Sequence, residues 1–120
     1  MYVGLAKLRL AIAGAHSLKD KRMVVRRIKD RVRERLHVMV NEVGELDSWQ
    51  RAELGCAVVS AERTKALAVI DDVIRAVIAA GGAEVVAIAK DAITFDGELV
   101  EQPAGADDWI PDAWREEQDR

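Results

Sequence analysis

Residues 17–36 read SLKDKRMVVRRIKDRVRERL and carry nine of the 18 lysines and arginines of the chain. The stretch predicts an α-helix over residues 18–36, because its hydrophobic residues recur at three- and four-residue steps. These are Leu18, Val25, Ile28, Val32 and Leu36. Ser17 and Asp20 form a capping-box type start, since the hydroxyl can accept from an early backbone N–H and the carboxylate favours the positive end of the helix dipole. The cations are expected to face water while the apolar stripe packs on a core.

The charge of the chain is unevenly distributed, although the net charge is only −3. Residues 18–36 have a net charge of +6, and residues 96–120 hold nine acids against two arginines, a net charge of −7. A basic helix and an acidic tail on one chain indicate either an anionic partner or a tail that covers the helix and competes with such a partner.

Length and composition are typical of one globular domain with a single core, at 120 residues of which 50% are hydrophobic and 32% charged. No apolar run approaches the roughly 20 residues that span a bilayer. Lys7 and Arg9 interrupt the apolar start, which disfavours a secretory signal. The lone Cys56 excludes an internal disulfide and is compatible with a reducing compartment, so we expect a cytoplasmic protein without a membrane partner.

The rest of the chain predicts four strands and a second helix. Alternating or continuous hydrophobicity favours strands over residues 2–13, 37–43, 51–60 and 84–95, and a broad apolar stripe ended by Gly81 and Gly82 favours a helix over residues 63–80. In the order β-α-β-β-α-β, right-handed crossovers lay both helices on one face of a four-stranded antiparallel sheet. The predicted class is therefore α+β, with a ferredoxin-like fold.

Two regions follow from this pattern: a ferredoxin-like domain over residues 1–95 and an acidic tail, extended or docked, over residues 96–120. Trp109 and Trp114 suggest docking, because large aromatics in a polar segment usually contact something. The sheet face opposite the helices would carry Val3 and Leu5, together with Val59 and one side of the last strand. Such an apolar face favours a homo-oligomer, a folded-back tail or a bound ligand.

Several motifs resemble those of the DUF503, or YlxP-like, family of small bacterial proteins of unknown function. They are Val3-Gly4-Leu5, Ser17-Leu18-Lys19-Asp20-Lys21-Arg22, Glu42-Val43-Gly44 with Asp47 and Trp49-Gln50-Arg51-Ala52, and Leu54-Gly55-Cys56-Ala57-Val58-Val59-Ser60. The resemblance covers about residues 1–95. It implies a ferredoxin-like fold and a bacterial cytosolic protein whose genes often lie among those for translation initiation and ribosome maturation factors, with no assigned activity.

The cations of the first helix fall into two rows at three- and four-residue spacing. Lys19, Arg22, Arg26, Lys29 and Arg33 form one row, and Arg27, Arg31 and Arg35 form the other. Exposed rows of this kind either neutralise phosphates or serve only as a solvated face that keeps a small protein soluble. The candidate nucleic-acid contacts are Lys19, Arg22, Arg26, Arg27, Lys29 and Arg33.

Catalysis has little support in the sequence, and no metal, cofactor or small-molecule substrate is predicted. His16 and His37 flank the first helix about 30 Å apart and cannot share a metal ion. Cys56 falls on the core face of a strand, and phosphate-loop and nucleophile-elbow motifs are absent. Glu42 and Glu53 are interpreted as ordinary strand carboxylates that pair with Arg51 or Lys7.

Two functions remain open from the sequence. The first is a non-enzymatic accessory protein that associates with RNA or ribosomal particles through the basic helix. The alternative is a homo-oligomeric interaction module that uses the open sheet face or an edge strand and has no nucleic-acid role. Candidate interaction residues are Trp49, Arg51, Val3, Leu5, Trp109 and Trp114.

Overall fold

The hydrophobic pattern predicts the order of the elements correctly. The computed structural model describes residues 1–102, and its elements are β1 (Tyr2–Ala11), α1 (Leu18–Leu36), β2 (Asn41–Gly44), β3 (Arg51–Ser60), α2 (Arg63–Ala80) and β4 (Glu84–Thr94). The strands form one four-stranded antiparallel sheet in the order β2-β3-β1-β4. This order, with the two helices packed over one face, is the ferredoxin-like arrangement, so the predicted fold class is confirmed.

β1 is the central strand of the hydrophobic core. It pairs with β3 on one side and with β4 on the other. Ala6, Leu8 and Leu10 are buried, whereas Lys7 and Arg9 are exposed on the opposite face. Because successive side chains of a strand point to opposite faces, this alternation places the helices on the even-numbered side. Residues of α1 and α2 complete the core on that side, among them Ile28 and Ile70.

Gly4 allows α2 to lie close to β1. A Cβ atom built on Gly4 would be 2.9 Å from the Ala66 carbonyl oxygen and 2.9 Å from Cγ1 of Ile70. Both distances are shorter than van der Waals contact, and one of them is to backbone. Any larger residue at position 4 would therefore push the helix away from the sheet.

The second strand is shorter than predicted and starts at Asn41 rather than at residue 37. His37 adopts a left-handed conformation (φ 55°) and donates its N–H to the Arg33 carbonyl at 2.9 Å, which ends α1. Val38 and Val40 still pack against the core, and Val40 is fully buried. The alternating pattern of this segment thus reflects core packing rather than strand pairing.

The chain after β4 is described only as far as residue 102. The N–H of Phe95 donates to the Met1 carbonyl at 2.8 Å, which extends the pairing of β4 with β1 by one bond. Asp96 lies 4.0 Å from the amino group of Met1. The greater part of the predicted acidic tail, with Trp109 and Trp114, lies outside the described residues.

Candidate functional site

The start of α1 is held by reciprocal hydrogen bonds, as the capping motif predicts. Ser17 Oγ accepts the N–H of Asp20 at 3.1 Å, and the Asp20 carboxylate accepts the N–H of His16 at 3.0 Å. The helix begins at Leu18 and ends at Leu36, which are the predicted bounds. Since each helical residue turns about 100°, this start sets the direction of every cation along the helix.

Lys21 is the one cation of α1 that the structure buries, and its side chain is only 1% exposed. Its ammonium lies 2.8 Å from Glu42 Oε2 on β2 and also donates to the carbonyl of Glu45 in the β2–β3 loop. The expectation that all cations of the helix face water is therefore wrong at this position. The spacing could have revealed it, because Lys21 precedes the buried Val25 by four residues and so shares its face.

Five cations follow the flank of α1 that borders β2, and we call them the outer row. They are Lys19, Arg22, Arg26, Lys29 and Arg33. Four are exposed and Lys29 is half-buried. Within residues 1–102, Arg33 is the only member with a carboxylate partner, since its Nη2 lies 2.9 Å from Asp30 Oδ1. The other four keep their charges available to an external anion.

The middle of the outer row surrounds a shallow notch between α1 and β2, with a volume of about 360 Å³. Its lining consists of Arg22, Val25, Arg26, Lys29, Asp30, Arg33 and Glu42. Asp30 and Glu42 already pair with Arg33 and Lys21, respectively. Three cations without carboxylate partners in the described part therefore converge on one concave surface, and an anion bound there would relieve their mutual repulsion.

Arg27, Arg31 and Arg35 follow the other flank of α1, which faces α2, and we call them the inner row. Arg27 Nη2 donates to the carbonyl oxygen of Gly81, just past the end of α2, at 3.4 Å. Arg31 and Arg35 border a concavity with Ala76, Ala79 and Ala80 of α2. Arg27 and Arg26 border one shallow concavity across the exposed side of α1, but Arg27 is the one predicted nucleic-acid contact that belongs to the inner row.

Gln50 is a second attachment of the β2–β3 loop, besides the bond from Lys21 to the Glu45 carbonyl. The Gln50 side-chain amide donates to the Ala15 carbonyl at 3.2 Å, and the backbone carbonyl of Gln50 accepts the N–H of Ile12 at 2.8 Å. Trp49 is 53% exposed, which leaves it available for an external contact. Arg51 is also exposed, at the start of β3 opposite Ala11. No pattern of residues singles out Gln50 apart from its place in the family motif.

The sheet face away from the helices carries the predicted apolar residues at one end. Val3 lies opposite Val59 of β3 and Ile93 of β4, and Leu5 lies one row further along β1 opposite Ala57. Val3 and Leu5 are half-buried by their neighbours. A shallow trough of about 510 Å³ crosses the middle of this face, and small residues such as Gly55 and Ala89 form its floor.

The strand carboxylates do not pair as predicted. Glu42 pairs with Lys21, and Glu53 pairs with Arg9 at 3.1 Å. Neither pairs with Arg51 or Lys7. Glu42 faces the helices and so meets α1, while Glu53 lies directly across from Arg9 in the register of β3 and β1. A charged residue of a strand usually pairs with the residue directly opposite on the neighbouring strand. Which residues are opposite each other is decided only when the sheet forms.

Nucleophile chemistry has no support from the geometry of the described chain. Cys56 is buried on the core face of β3, and burial raises the pKa of its thiol, partly opposed by a hydrogen bond with the backbone of Ala6. A thiol in this state is a poor nucleophile. Residues 1–102 contain no group of three His, Cys, Asp or Glu side chains arranged to hold a metal ion.

Neither helix of the described chain is suited to span a bilayer. α1 and α2 lack a long apolar segment of the kind that crosses a membrane.

One relative and one family model indicate the same family. The uncharacterized protein YlxP of Bacillus subtilis (strain 168) is 41% identical over 63 residues, which are 52% of this chain and 68% of that protein. A de novo designed protein with a ferredoxin fold, solved by NMR, aligns over 88% of this chain and 99% of its own, with a TM-score of 0.46 and 15% identity. The model of the protein family of unknown function DUF503 matches residues 3–90, which reach from β1 into β4. The chain therefore belongs to the DUF503 family.

Proposed function

We propose that this protein is a non-enzymatic cytoplasmic accessory protein that binds RNA, free or within ribosomal particles, through the outer row of α1. The observation that supports this most directly is that the row has few ion-pair partners: of its five cations, only Arg33 has a carboxylate partner within residues 1–102. Phosphates are the anions that such a row fits, because lysine and arginine along a helix flank can contact successive backbone phosphates.

The outer row has dimensions suited to a nucleic-acid backbone. From Lys19 to Arg33 the helix rises about 21 Å, at about 1.5 Å per residue. The notch at Arg22, Arg26 and Lys29 offers a concave point where several cations can surround one phosphate. We leave Arg27 out of the proposed surface, because it belongs to the inner row and donates to the Gly81 carbonyl.

Base-specific readout is not part of the proposal. Single-stranded RNA is read on βαββαβ sheets by aromatic side chains of the central strands. Here β3 contains no aromatic residue, and Tyr2 is the only one in β1. Binding should therefore depend on phosphate contacts and show little sequence preference.

Two double charge reversals on the same helix test the proposal. Arg22→Glu with Arg26→Glu changes the outer row, and Arg31→Glu with Arg35→Glu changes the inner row by the same charge at the same spacing. Binding to ribosomal RNA and to ribosomal particles is measured at several salt concentrations. We expect the outer-row variant to bind at least about tenfold more weakly, with a salt slope lower by about 1.4 for two lost contacts to single-stranded RNA.

The inner-row variant is the matched control and should bind within about threefold of wild type, because only long-range electrostatics change. Equal losses in both variants would mean that net charge alone governs binding. Unchanged binding and slope in the outer-row variant would remove the proposed RNA surface altogether.

A further inference from the structure

β4 is an open edge of the sheet over most of its length. It spans 11 residues and pairs on one side with β1, whereas β2, at the opposite edge, has only 4 residues. Within residues 1–102, no strand lies along the outer side of β4. An edge strand of this length presents a row of unpaired N–H and C=O groups to any strand that can align with it.

The usual protections of an edge strand are weak along β4. A bulge at Val86, the residue left unmatched between Arg9 and Leu10 of β1, interrupts the edge near its start. Beyond the bulge, the ammonium of Lys90 lies 2.6 Å from Asp71 on α2 and so points back over the protein. Asp91 is exposed, and its Oδ1 accepts the N–H of Ala92 at 2.7 Å, so a pairing strand must displace this one local bond. The rest of the stretch from Ala87 to Thr94 is accessible to pairing.

Apolar side chains accompany the open edge on the helix side. Ile88 lies in register with the buried Leu8 but is itself 48% exposed, and Ile78 of α2 is 55% exposed. Ile78 follows Asp71 by seven residues and so lies on the side of α2 that borders β4. Unpaired backbone and exposed aliphatic side chains thus meet along one margin of the molecule, as expected of an interaction surface.

We propose that this edge pairs with β4 of a second copy of the chain, joining two four-stranded sheets into one sheet of eight strands. A two-fold axis perpendicular to the sheet sets β4 antiparallel to its own copy, so the open donors and acceptors between the bulge at Val86 and Asp91 meet partners. This self-complementarity is what makes a second copy the fitting occupant of the edge.

The charges of β4 select the register. Residues directly opposite each other on two antiparallel strands have their side chains on the same face of the sheet. Because side chains alternate between faces along a strand, this condition holds only if the two-fold axis passes through a residue and not between two residues. An axis through Lys90 or Asp91 sets like charges directly opposite each other, which is destabilising. An axis through Ala89 sets Ala89 opposite Ala89 and places Ile88 beside the alkyl chain of Lys90 in the other copy. Ala89 is also the midpoint of Glu84–Thr94, so an axis there pairs the two strands over their greatest length. We assign the axis to Ala89.

The open sheet face is less suited to a second copy. Lys7 projects from the centre of that face and has no carboxylate partner among residues 1–102. Stacking two such faces about an axis along β1 would set Lys7 opposite Lys7. Pairing through β4 also leaves α1 free, because α1 meets the sheet at β2, at the far edge. An experiment can therefore refute the proposed dimer without refuting the proposed RNA surface, and the reverse.

Sedimentation equilibrium of the full chain tests the pairing with two matched substitutions. In Ala89→Glu the new carboxylate lies opposite Lys7 within its own chain, so the fold should tolerate it, but two glutamates meet at the proposed axis. Ala57→Glu adds the same charge to an exposed residue of the same sheet face on β3, away from the edge. We expect Ala89→Glu to raise the dimer dissociation constant at least about tenfold and Ala57→Glu to change it by less than about threefold.

Cysteine cross-linking tests the register directly. It also tests the dimer if the Ala89→Glu variant does not fold. Side chains directly opposite on antiparallel strands have Cβ atoms about 4.5–5.5 Å apart, so Ala89→Cys should form a disulfide between copies. Ala57→Cys should not, and the native Cys56 is buried. A wild-type chain that stays monomeric at millimolar concentration would overturn the proposal. So would a dimer that Ala57→Glu dissociates and Ala89→Glu does not, or one that Ala57→Cys cross-links.

Discussion

At the scale of single residues, Lys21 connects α1 to the β2–β3 hairpin. Its ammonium lies against Glu42 and the carbonyl of Glu45, and its side chain is almost fully buried. A buried ion pair costs desolvation energy, but the loss of one partner leaves the other charge uncompensated. The pair is therefore expected to specify how the hairpin meets the helix rather than to add much net stability.

Substitutions at Lys21 and Glu42 measure this contribution. Lys21→Met keeps the aliphatic chain and leaves Glu42 unpaired, so we expect a loss of about 3 kcal/mol in the free energy of unfolding. Lys21→Met combined with Glu42→Leu should recover most of that loss. Urea unfolding gives both values. If the free energy of unfolding of the Lys21→Met variant is within about 0.5 kcal/mol of wild type, the pair behaves like a solvated surface pair.

At the scale of elements, Lys90 and Asp71 join β4 to α2. The Lys90 ammonium lies 2.6 Å from the Asp71 carboxylate. The hydrogen bond from Lys90 holds the pKa of Asp71 below its ordinary value, and the charges of Lys90 and Arg75 act in the same direction. The contact orients Lys90 over the protein, so Lys90 does not protect the β4 edge.

The lowered pKa of Asp71 predicts a pH dependence. A carboxyl whose pKa is depressed in the folded state stabilises the protein above its unfolded pKa, and this contribution disappears as the pH falls through the folded value. Asp71→Asn should therefore be slightly less stable than wild type at neutral pH and equal to it in acid. Lys90→Met should return the pKa of Asp71 toward its ordinary value in an NMR titration. A pKa unchanged by Lys90→Met would contradict the ion pair as its cause.

At the scale of the whole molecule, two surfaces lie at opposite margins of one sheet. The outer row of α1 borders β2, and the open edge of β4 lies at the other end of the strand order. Pairing through β4 would therefore present two basic helices, one at each end of an extended platform. Two linked sites bind one long polyanion more tightly than either site does alone.

The acidic end of the chain predicts self-competition. Residues 103–120 hold six acids and two arginines, a net charge of −4, on the same chain as the basic helix. Deleting them should raise RNA affinity at low salt by about threefold or more, because a tethered polyanion competes at high effective concentration. The gain should vanish at high salt. Equal affinity of the two proteins at low salt would show that the tail does not compete.

The bounds of both helices and the order of all six elements follow from the sequence, because they depend on local signals. Ser17 and Asp20 cap α1, Gly81 and Gly82 adopt positive φ at the end of α2, and hydrophobic periodicity separates helix from strand. The strand bounds are predicted less well: β1 ends at Ala11 rather than at residue 13, and the largest difference is the start of β2. His37 ends the helix in a left-handed conformation, and the apolar residues after it pack without pairing.

What the tertiary structure alone decided is which charges are free. Composition places nine cations on α1, but only the meeting of that helix with β2 buries Lys21 against Glu42 and leaves the outer row open. Likewise, the continuous hydrophobicity of β4 predicts a strand, while its position at the edge of the sheet depends on contacts with β1 far away in sequence. Local periodicity determines whether a segment forms a helix or a strand. The exposure of its side chains and backbone depends on which segments pack together, and short-range sequence patterns carry no information about that packing.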